Sequence, residues 1–545
     1  METKPTLKNE LGRVLNSTPA ERARAIIDSP YTRQILERLS PQETYMIIKE
    51  SWGTDSQILL QYVTPETISH IIDMDCWDKD TLSVDALMDW LWEIYNSSAD
   101  SLQDALGILD LDVMILLFQS YIDVVHVVPT DERIADLLDA GYESFDDNYY
   151  FLFKEESEKA QLLKDMLSLI FTHYQDTYYA VMEGVIWELR SYIEENIYEK
   201  RSLRLMELGF PPPDEAMSIY RRVQSHKLLN QGLSREKTPR MDKGVGFLPA
   251  LYLDHLSQSK GLIVASLVEA PKETRDRFVV EMIYLANKVV MADYRPLNEV
   301  EELKSSIDKA SSLSSLGLAA AMKLHGKSAR EILETVNAET LFSLGYNMIL
   351  DQKMRLRQAL SVFELSMVPE ELAAYAEGLL KKRPLFKDRD FSDMEQLEEA
   401  THAVDLIEAL TSILGVLQWR RDRKDSLRGT NTGPDPDMET IILTVLAVNL
   451  LEKKTEFRPL DKQELVTVLK ALTRVDASGR RVPVPEFGQN LEAFLAAVVP
   501  GLPFHTVQDT AGILLKRFED EISGIAHVEE IDPRFITCLT VRVQR

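Results

Sequence analysis

Four aspartates lie within the stretch HIIDMDCWDKD, residues 70–80, and carboxylates at this density are the first candidates for chemistry in the sequence. Hard cations such as Mg²⁺ and Ca²⁺ bind several carboxylate oxygens at once. An EF-hand loop counted from Asp73 would need Gly at its sixth position and Glu at its twelfth, but Asp78 and Val84 stand there. We therefore predict either weak binding of Mg²⁺ or Ca²⁺ or a solvated acidic loop that caps a helix at Thr81. The candidate metal ligands are Asp73, Asp75, Asp78 and Asp80.

Tryptophans provide a second set of candidates. Four of the six lie in the same acidic part of the chain, namely Trp52, Trp77, Trp90 and Trp92. Trp90 and Trp92 are two residues apart on a predicted helix and cannot share one face, so one is expected in the core and the other at the surface or against the next element. An exposed indole beside carboxylates would anchor a basic partner. We predict Trp77, Trp90 and Trp92 as partner-binding residues, with core packing as the default alternative.

Motifs for catalysis or cofactor binding are incomplete. HGKS at residues 325–328 lacks a glycine that a phosphate-binding loop requires, because Ala321 occupies its position, and Ser328 is predicted to be a helix N-cap instead. EATH at residues 399–402 is a single copy of a spacing that di-iron bundles use twice. No catalytic residue is therefore predicted, and no cofactor besides a weakly bound metal. Distant residues can still converge on a site, so an enzyme remains a third hypothesis. Its candidate residues are His255, Glu281, Glu399 and His402.

Acidic residues are concentrated in one part of the chain. The sequence has 88 Asp and Glu against 61 Lys and Arg, a net charge of −27. Residues 51–150 alone hold 21 acidic and two basic side chains, a net charge of −21 + 2 = −19. Such a surface repels nucleic acid and attracts basic proteins. Residues 200–243 are rich in Arg and Lys, so either both stretches are solvated, as the weakness of exposed ion pairs favours, or the basic stretch docks on the acidic one.

Apolar residues recur mostly at helical spacing, which predicts an almost all-α protein. One stripe begins at Leu162 and continues through Ile193, as in a single long helix. Strand signals are limited to FITCLTVRV at residues 535–543 and, more weakly, VVHVVP at 124–129. Residue pairs of the capping-box type predict helix starts. These pairs are Asn298 with Glu301, Ser328 with Glu331, and Asp461 with Glu464.

A repeated phrase indicates how the N-terminal helices are arranged. SPQETYMIIKE at residues 40–50 returns as TPETISHIIDM at residues 64–74. Each copy begins with Ser or Thr, which suits an N-cap, followed by Pro, which suits the first helical position. Helical units of about 22–24 residues cannot bury their apolar faces alone and therefore stack. We predict an N-terminal helical-repeat superhelix followed by an α-helical C-terminal region, with residues 535–543 as its candidate terminal strand.

The phrases LERLSPQETYMII and LLQYVTPETISHII resemble the short helical repeats in the cytoplasmic N-terminal domain of MgtE-type magnesium transporters. Related repeats occur in the flagellar switch protein FliG. The resemblance covers roughly residues 10–125 and implies a repeat architecture, and it slightly favours the metal-binding interpretation. The sequence departs from the transporter, since it shows neither a membrane region nor a nucleotide-sensing module. As a whole, the chain resembles an uncharacterised bacterial family known as a domain of unknown function, which implies no activity.

Chain breakers and composition predict five regions. These are an acidic helical-repeat domain at 1–155, a long-helix connector at 156–233, a linker at 234–249, a helical domain at 250–430, and a C-terminal helical region with minor β structure at 431–545. The two cysteines, Cys76 and Cys538, argue against a disulfide framework. No secretory signal or membrane-spanning run is evident. We therefore expect a cytoplasmic protein.

These features together favour a non-enzymatic α-helical interaction or scaffold protein that binds a basic protein partner through its acidic repeat surface. A divalent-cation-responsive regulatory protein is the first alternative, and the enzyme described above is the second. Neither nucleic acid nor a membrane span is expected, and the sequence does not determine the oligomeric state.

Overall fold

Helices form most of the described structure, and the strands are few, short and antiparallel, which confirms the predicted predominantly all-α class. The computed structural model describes residues 6–15, 17, 19–128, 130–154, 158–222, 255–256, 261–419, 427, 429–433, 436–477, 479–525 and 527–543. The chain divides into two units, Met1–Ser343 and Leu344–Arg545. The predicted linker at 234–249 lies outside the described residues.

Short helices with polar caps open the first unit. They are α1 (Leu7–Leu15), α2 (Pro19–Ile27), α3 (Thr32–Leu36), α4 (Pro41–Glu50), α5 (Ser56–Leu60), α6 (Pro65–Asp75), α7 (Val84–Ser97) and α8 (Ala99–Ile108). The hydroxyl of Ser40 accepts the N–H of Glu43, whose carboxylate returns to the Ser40 N–H, so the predicted capping box is present. The Thr64 hydroxyl caps α6 by accepting the N–H of Thr67. The repeated phrase is therefore a helix-start signal, as predicted.

The repeated helices stack on one another. Helices α2, α4, α6 and α8 each contact the next in that series, and α5 packs against α7. The isoleucine pair of each phrase lies inside this stack, with Ile48 and Ile71 fully buried. Because each short helix has an apolar side that only its neighbours cover, the stack has the repeat architecture that the sequence predicts.

A small hairpin and a three-stranded sheet interrupt the helices. Strands β1 (Trp77–Asp78) and β2 (Thr81–Leu82) pair between α6 and α7. The helix predicted at Thr81 therefore begins later, at Val84, because Thr81 is paired in the hairpin and Ser83 provides the N-cap. Strands β3 (Ile122–His126), β4 (Glu143–Ser144) and β5 (Tyr149–Phe153) form a second sheet in the order β3-β5-β4. The weaker strand signal at 124–129 is thus confirmed at β3.

The long apolar stripe predicted from Leu162 to Ile193 folds as separate helices. The helices beyond the repeats are α9 (Leu111–Tyr121), α10 (Ile134–Asp139), α11 (Glu158–His173), α12 (Gln175–Trp187) and α13 (Arg190–Glu207). The backbone leaves the helical conformation at Tyr174 and again at Glu188. These breaks let α12 fold back against both α9 and α11, which buries more apolar surface than one straight helix would. Neither break has a Pro or Gly to reveal it in the sequence.

The other described elements of the first unit are also helices. It contains α14 (Pro213–Ala216), α15 (Leu262–Glu269), α16 (Lys272–Ala292), α17 (Val300–His325), α18 (Ala329–Thr335) and the start of α19 (Ala338–Ala359). Ser328 and Glu331 form the predicted capping box of α18. The box predicted at Asn298 is wrong, because α17 begins after Glu299 and the Asn298 amide is used by a carboxylate elsewhere in the unit.

The second unit contains the end of α19 and six further helices within its described residues. They are α20 (Glu370–Leu380), α21 (Met394–Val416), α22 (Met438–Glu452), α23 (Lys462–Leu472), α24 (Phe487–Val498) and α25 (Phe504–Ile522), with the hairpin β6 (Thr473–Val475) and β7 (Arg481–Pro483). Asp461 and Glu464 form the predicted capping box of α23. Every residue of α22 from Met438 to Val448 is buried, so this helix is the centre of the unit.

The segment at 535–543 forms isolated bridges rather than a continuous strand. Val541 bridges Leu460, and Arg542 bridges Thr430. The Thr540 N–H donates to the Thr444 hydroxyl on α22, 2.9 Å away. The predicted terminal strand is therefore not continuous, although Ile536, Cys538, Leu539 and Val541 are buried, while Phe535 is 78% exposed.

Candidate functional site

Asp73, the first of the predicted metal ligands, is paired with arginine. Its side chain is buried, with 1% of its surface exposed. Arg204 on α13 donates to both carboxylate oxygens, at 2.6 and 2.8 Å, and its remaining terminal nitrogen donates to Asp110 at 2.6 Å. The hydrogen bond from Arg204 to Asp73 raises the pKa of the guanidinium. The carboxylate is therefore committed to a bidentate ion pair.

Asp75 accepts four hydrogen bonds at the end of α6. Its Oδ1 accepts from the Tyr45 hydroxyl at 2.9 Å and the Asn298 amide at 3.1 Å. Its Oδ2 accepts from the Lys49 ammonium and the Trp90 indole N–H, both at 2.7 Å. Burial raises the pKa of Asp75, but the bonds from Lys49 and Trp90 outweigh it and hold the pKa below its usual value. Asp75 thus ties together three helices and the segment before α17.

The four aspartates are not brought together. Asp73 and Asp75 are bonded to different partners, as described above, while Asp78 and Asp80 lie exposed on the β1–β2 hairpin. Among the residues that the structure describes, no group of three or more His, Cys, Asp or Glu side chains could hold a metal ion. Binding of Mg²⁺ or Ca²⁺ by this cluster stays a prediction.

The basic stretch that begins at residue 200 docks on the acidic region through α13. Besides Arg204, Lys200 reaches Asp112 at 2.7 Å. Arg201 is buried; its Nε donates to the Asp73 carbonyl at 2.8 Å and its guanidinium lies 4.5 Å from the Trp77 ring centroid. The docking alternative therefore holds for these residues, whereas the part of the stretch beyond residue 222 lies outside the described chain. Trp77, predicted to bind a partner, is half-buried beneath Arg201.

Two of the predicted partner-binding tryptophans, Trp90 and Trp92, line one pocket in the repeat region. The pocket has a volume of about 220 Å³ and is partly open to solvent, and its lining consists of Lys49, Trp52, Asp75, Ala86, Asp89, Trp90, Trp92 and Glu93. We call this the tryptophan pocket. Trp90 is buried and Trp92 is half-buried, as expected for residues two apart on a helix. Trp52 packs edge-on against Trp90, with ring centroids 4.6 Å apart.

A cation already lies against these rings. The Lys49 Nζ is 4.9 Å from the Trp52 ring centroid and 5.6 Å from that of Trp90. Both distances are within the range of cation–π attraction. The three carboxylates of the pocket lining, less the one ammonium of Lys49, leave a formal charge of −3 + 1 = −2. The pocket therefore has the aromatic faces and the negative charge that favour a further cationic group.

The carboxylates of the tryptophan pocket differ in how freely they face solvent. Glu93 is buried and accepts from Ser56 Oγ at 2.5 Å and from Gln57 Nε2 at 3.4 Å. Asp89 leaves 64% of its side chain exposed and stands 3.4 Å from Lys159 Nζ. An exposed ion pair of this kind is weak. Asp89 is thus the carboxylate most accessible to an incoming cation.

The residues of the enzyme hypothesis have local partners. His255 Nε2 lies 2.9 Å from Asp308, and Glu281 accepts the N–H of Ala338, both in the first unit. In the second unit, Glu399 accepts from the Tyr375 hydroxyl at 3.1 Å, and His402 lies 3.8 Å from Asp509. These contacts do not test whether the residues catalyse a reaction, and the enzyme hypothesis stays a prediction.

Trp52 and Lys49 are pocket residues that sequence reasoning did not assign to a site. Lys49 lies three residues before Trp52, and this spacing alone gives no periodic signal. Only the packing of the α4 end against α7 brings them beside Trp90. The residue pattern does not show which part of one helix packs against which part of another. Without that information, the sequence cannot place Lys49 and Trp52 beside Trp90.

Comparison with known proteins gives one match. The sequence profile of the family described as "Family of unknown function (DUF6178)" matches residues 2–542. Neither curated proteins nor solved structures provide a match. The resemblance to MgtE and FliG repeats is therefore not confirmed. Within the described residues, no helix is both long and apolar enough to cross a membrane.

Proposed function

Since the chain belongs to this family of unknown function, we propose from its geometry that it is a non-enzymatic interaction protein, in which the repeat region binds a basic protein partner. The tryptophan pocket is the contact point, where a Lys or Arg side chain of the partner approaches the indole faces. The observation behind this proposal is the Lys49 ammonium over Trp52 and Trp90, since the chain itself places a cation in that position.

The charge of the surrounding region supports this proposal. Residues 51–150 have a net charge of −19, and the cations of α13 neutralise only part of it by pairing with Asp73, Asp110 and Asp112. A surface of this kind accelerates the approach of a basic protein, and the effect weakens as salt is added. Aromatic side chains in a concave site then provide the short-range contact that long-range charge cannot.

A cytoplasmic location is part of the same proposal. Both cysteines are buried and unpaired, which is consistent with a reducing compartment.

The proposal is tested by affinity capture with the full chain as bait, at about 50 mM and at about 500 mM salt. The test variant combines Trp92→Ala with Asp89→Asn, and the matched control combines Trp187→Ala with Asp139→Asn, which are exposed positions outside the tryptophan pocket. We expect a basic partner that the wild type and the control both recover at low salt, and that the test variant loses. Equal recovery by the two variants would rule out the pocket as the contact point.

A further inference from the structure

We infer that the tryptophan pocket is a binding site for an alkylated ammonium group, either a methylated lysine of a protein or a free quaternary ammonium compound, and not for a metal ion. This inference rests on the proposed function in using the same pocket. It goes further in naming the chemical class of the cation. Three features lead to it: the aromatic faces, the engaged carboxylates and the space beside Lys49.

The aromatic faces select cations that are weakly hydrated. Trp52 and Trp90 pack edge to face, with ring centroids 4.6 Å apart and an interplanar angle of 79°, so a cation approaches from outside the pair, on the side where Lys49 lies. Trp92 adds a third indole to the lining. An alkylated ammonium sheds water readily and is attracted to indole faces, which is why aromatic cages recognise such groups.

The buried carboxylates are poorly placed to coordinate a metal directly. Both oxygens of Asp75 already accept two hydrogen bonds each, and the two oxygens of Glu93 accept from Ser56 and Gln57. A metal ion with oxygen ligands at about 2.0–2.6 Å would have to replace these donors. At longer range the same carboxylates still attract any cation. Asp75 and Glu93 therefore provide charge without inner-sphere ligands.

The pocket also has room for a second cation. Its volume is about 220 Å³ with Lys49 in place, so a compact alkylammonium does not have to displace that side chain. Lys49 remains bonded to Asp75 at 2.7 Å. The accessible carboxylate of Asp89 lies on the same lining. A ligand ammonium is thus placed among the indoles with Asp89 as its nearest exposed counter-charge.

The test is a ligand-observed NMR titration of the full chain with tetramethylammonium at constant ionic strength. We expect saturable binding that Trp52→Leu and Asp89→Asn each weaken about threefold or more, the range for losing one cation–π face or one counter-charge. Trp187→Leu is the matched control, since that indole is 73% exposed and outside the pocket; we expect less than a twofold change. Asp89 is exposed, so Asp89→Asn keeps the test meaningful even where Trp52→Leu perturbs folding.

Competition distinguishes the cation classes. MgCl₂ is expected to compete no better than NaCl of equal ionic strength. Absence of saturable tetramethylammonium binding, specific displacement by Mg²⁺, or equal weakening by Trp187→Leu would each overturn the inference. A trimethyllysine peptide that binds more tightly than both its unmethylated form and tetramethylammonium assigns the source to a protein. Equal binding of the peptide and tetramethylammonium assigns it to a small molecule.

The inference and the proposed function fail separately. Binding of tetramethylammonium by a protein whose partner capture is unaffected by the pocket variant would leave the ligand class standing and remove the proposed partner. Partner capture that depends on the pocket, without tetramethylammonium binding, would leave the proposed partner standing and remove the alkylammonium ligand.

Discussion

At the scale of single residues, the chemistry of this chain depends on which carboxylates are buried. The four aspartates at 70–80 cannot be told apart in the sequence. In the structure, Asp75 is buried and accepts four hydrogen bonds, whereas Asp78 is exposed. Residue types and spacing predicted Trp90 and Trp92 as a core and surface pair. They could not predict the bond from Trp90 to Asp75, because that contact depends on the angle between α6 and α7.

Asp75→Asn is expected to lower the free energy of unfolding by about 2–4 kcal/mol, because the Lys49 ammonium loses its counter-charge and a buried donor loses its acceptor. Urea denaturation measures the change. Asp78→Asn is the control, because Asp78 lies three residues further along the same acidic stretch but is exposed; this variant should stay within about 0.5 kcal/mol of the wild type. Similar losses for both variants would contradict the role given to Asp75.

Glu439 provides a pH-dependent prediction in the second unit. It is 7% exposed in the first turn of α22, and burial, together with the nearby Asp437, raises its pKa to about 7. An unfolded chain has a Glu pKa of about 4.3. Between these values the folded protein binds more protons than the unfolded chain, so this residue makes stability fall as pH rises.

Glu439→Gln is therefore expected to stabilise the protein by on the order of 3 kcal/mol at pH 8, and by progressively less as the pH falls toward 4.3. Thermal or urea unfolding across this pH range gives the measurement. Glu456→Gln, at an exposed position, serves as the control. A stabilisation by Glu439→Gln that is the same at pH 5 and pH 8 would show that the carboxyl is not titrating as described.

At the scale of elements, helix starts were the most predictable feature and helix packing the least. The caps at Ser40, Thr64, Ser328 and Asp461 are local, since each involves residues three apart, and so the sequence alone predicts them. Docking of α13 on α6 joins Arg204 to Asp73, residues 131 positions apart. No local pattern contains that information. The sequence therefore favours solvated charges at both the acidic and the basic stretch, although the structure pairs Arg204 with Asp73.

Arg204→Ala is expected to destabilise the protein by about 3–5 kcal/mol, because it leaves the buried Asp73 carboxylate without its bidentate partner. Arg221→Ala, at an exposed position beyond the same helix, should have little effect. The double variant Asp73→Leu with Arg204→Met removes both charges and should recover part of the loss. A double variant that is as unstable as the sum of Asp73→Leu and Arg204→Met measured singly would show that the two side chains act independently.

At the scale of the whole molecule, the net charge of −27 opposes compaction by self-repulsion. The uneven distribution of charge was evident from the sequence, and so was the all-α class. The division into units was not, because its boundary falls inside the continuous helix α19.

Raising NaCl from about 20 to about 300 mM should increase the melting temperature by about 2–4 °C, since screening relieves this repulsion. MgCl₂ of equal ionic strength should give the same value within about 1 °C. Differential scanning calorimetry measures both. A distinctly larger increase in melting temperature with Mg²⁺ would support the cation-responsive alternative, with Asp78 and Asp80 as the candidate ligands.

The burial of α22 has a consequence for biosynthesis. Its residues from Met438 to Val448 face the interior on all sides, and part of their cover is the segment around Thr537, which meets Thr440 from 97 residues further along the chain. At ~5–20 residues per second, a ribosome needs roughly 5–20 s to make that distance. During this interval a predominantly apolar helix lacks part of its cover, so we expect the nascent second unit to need protection by a chaperone.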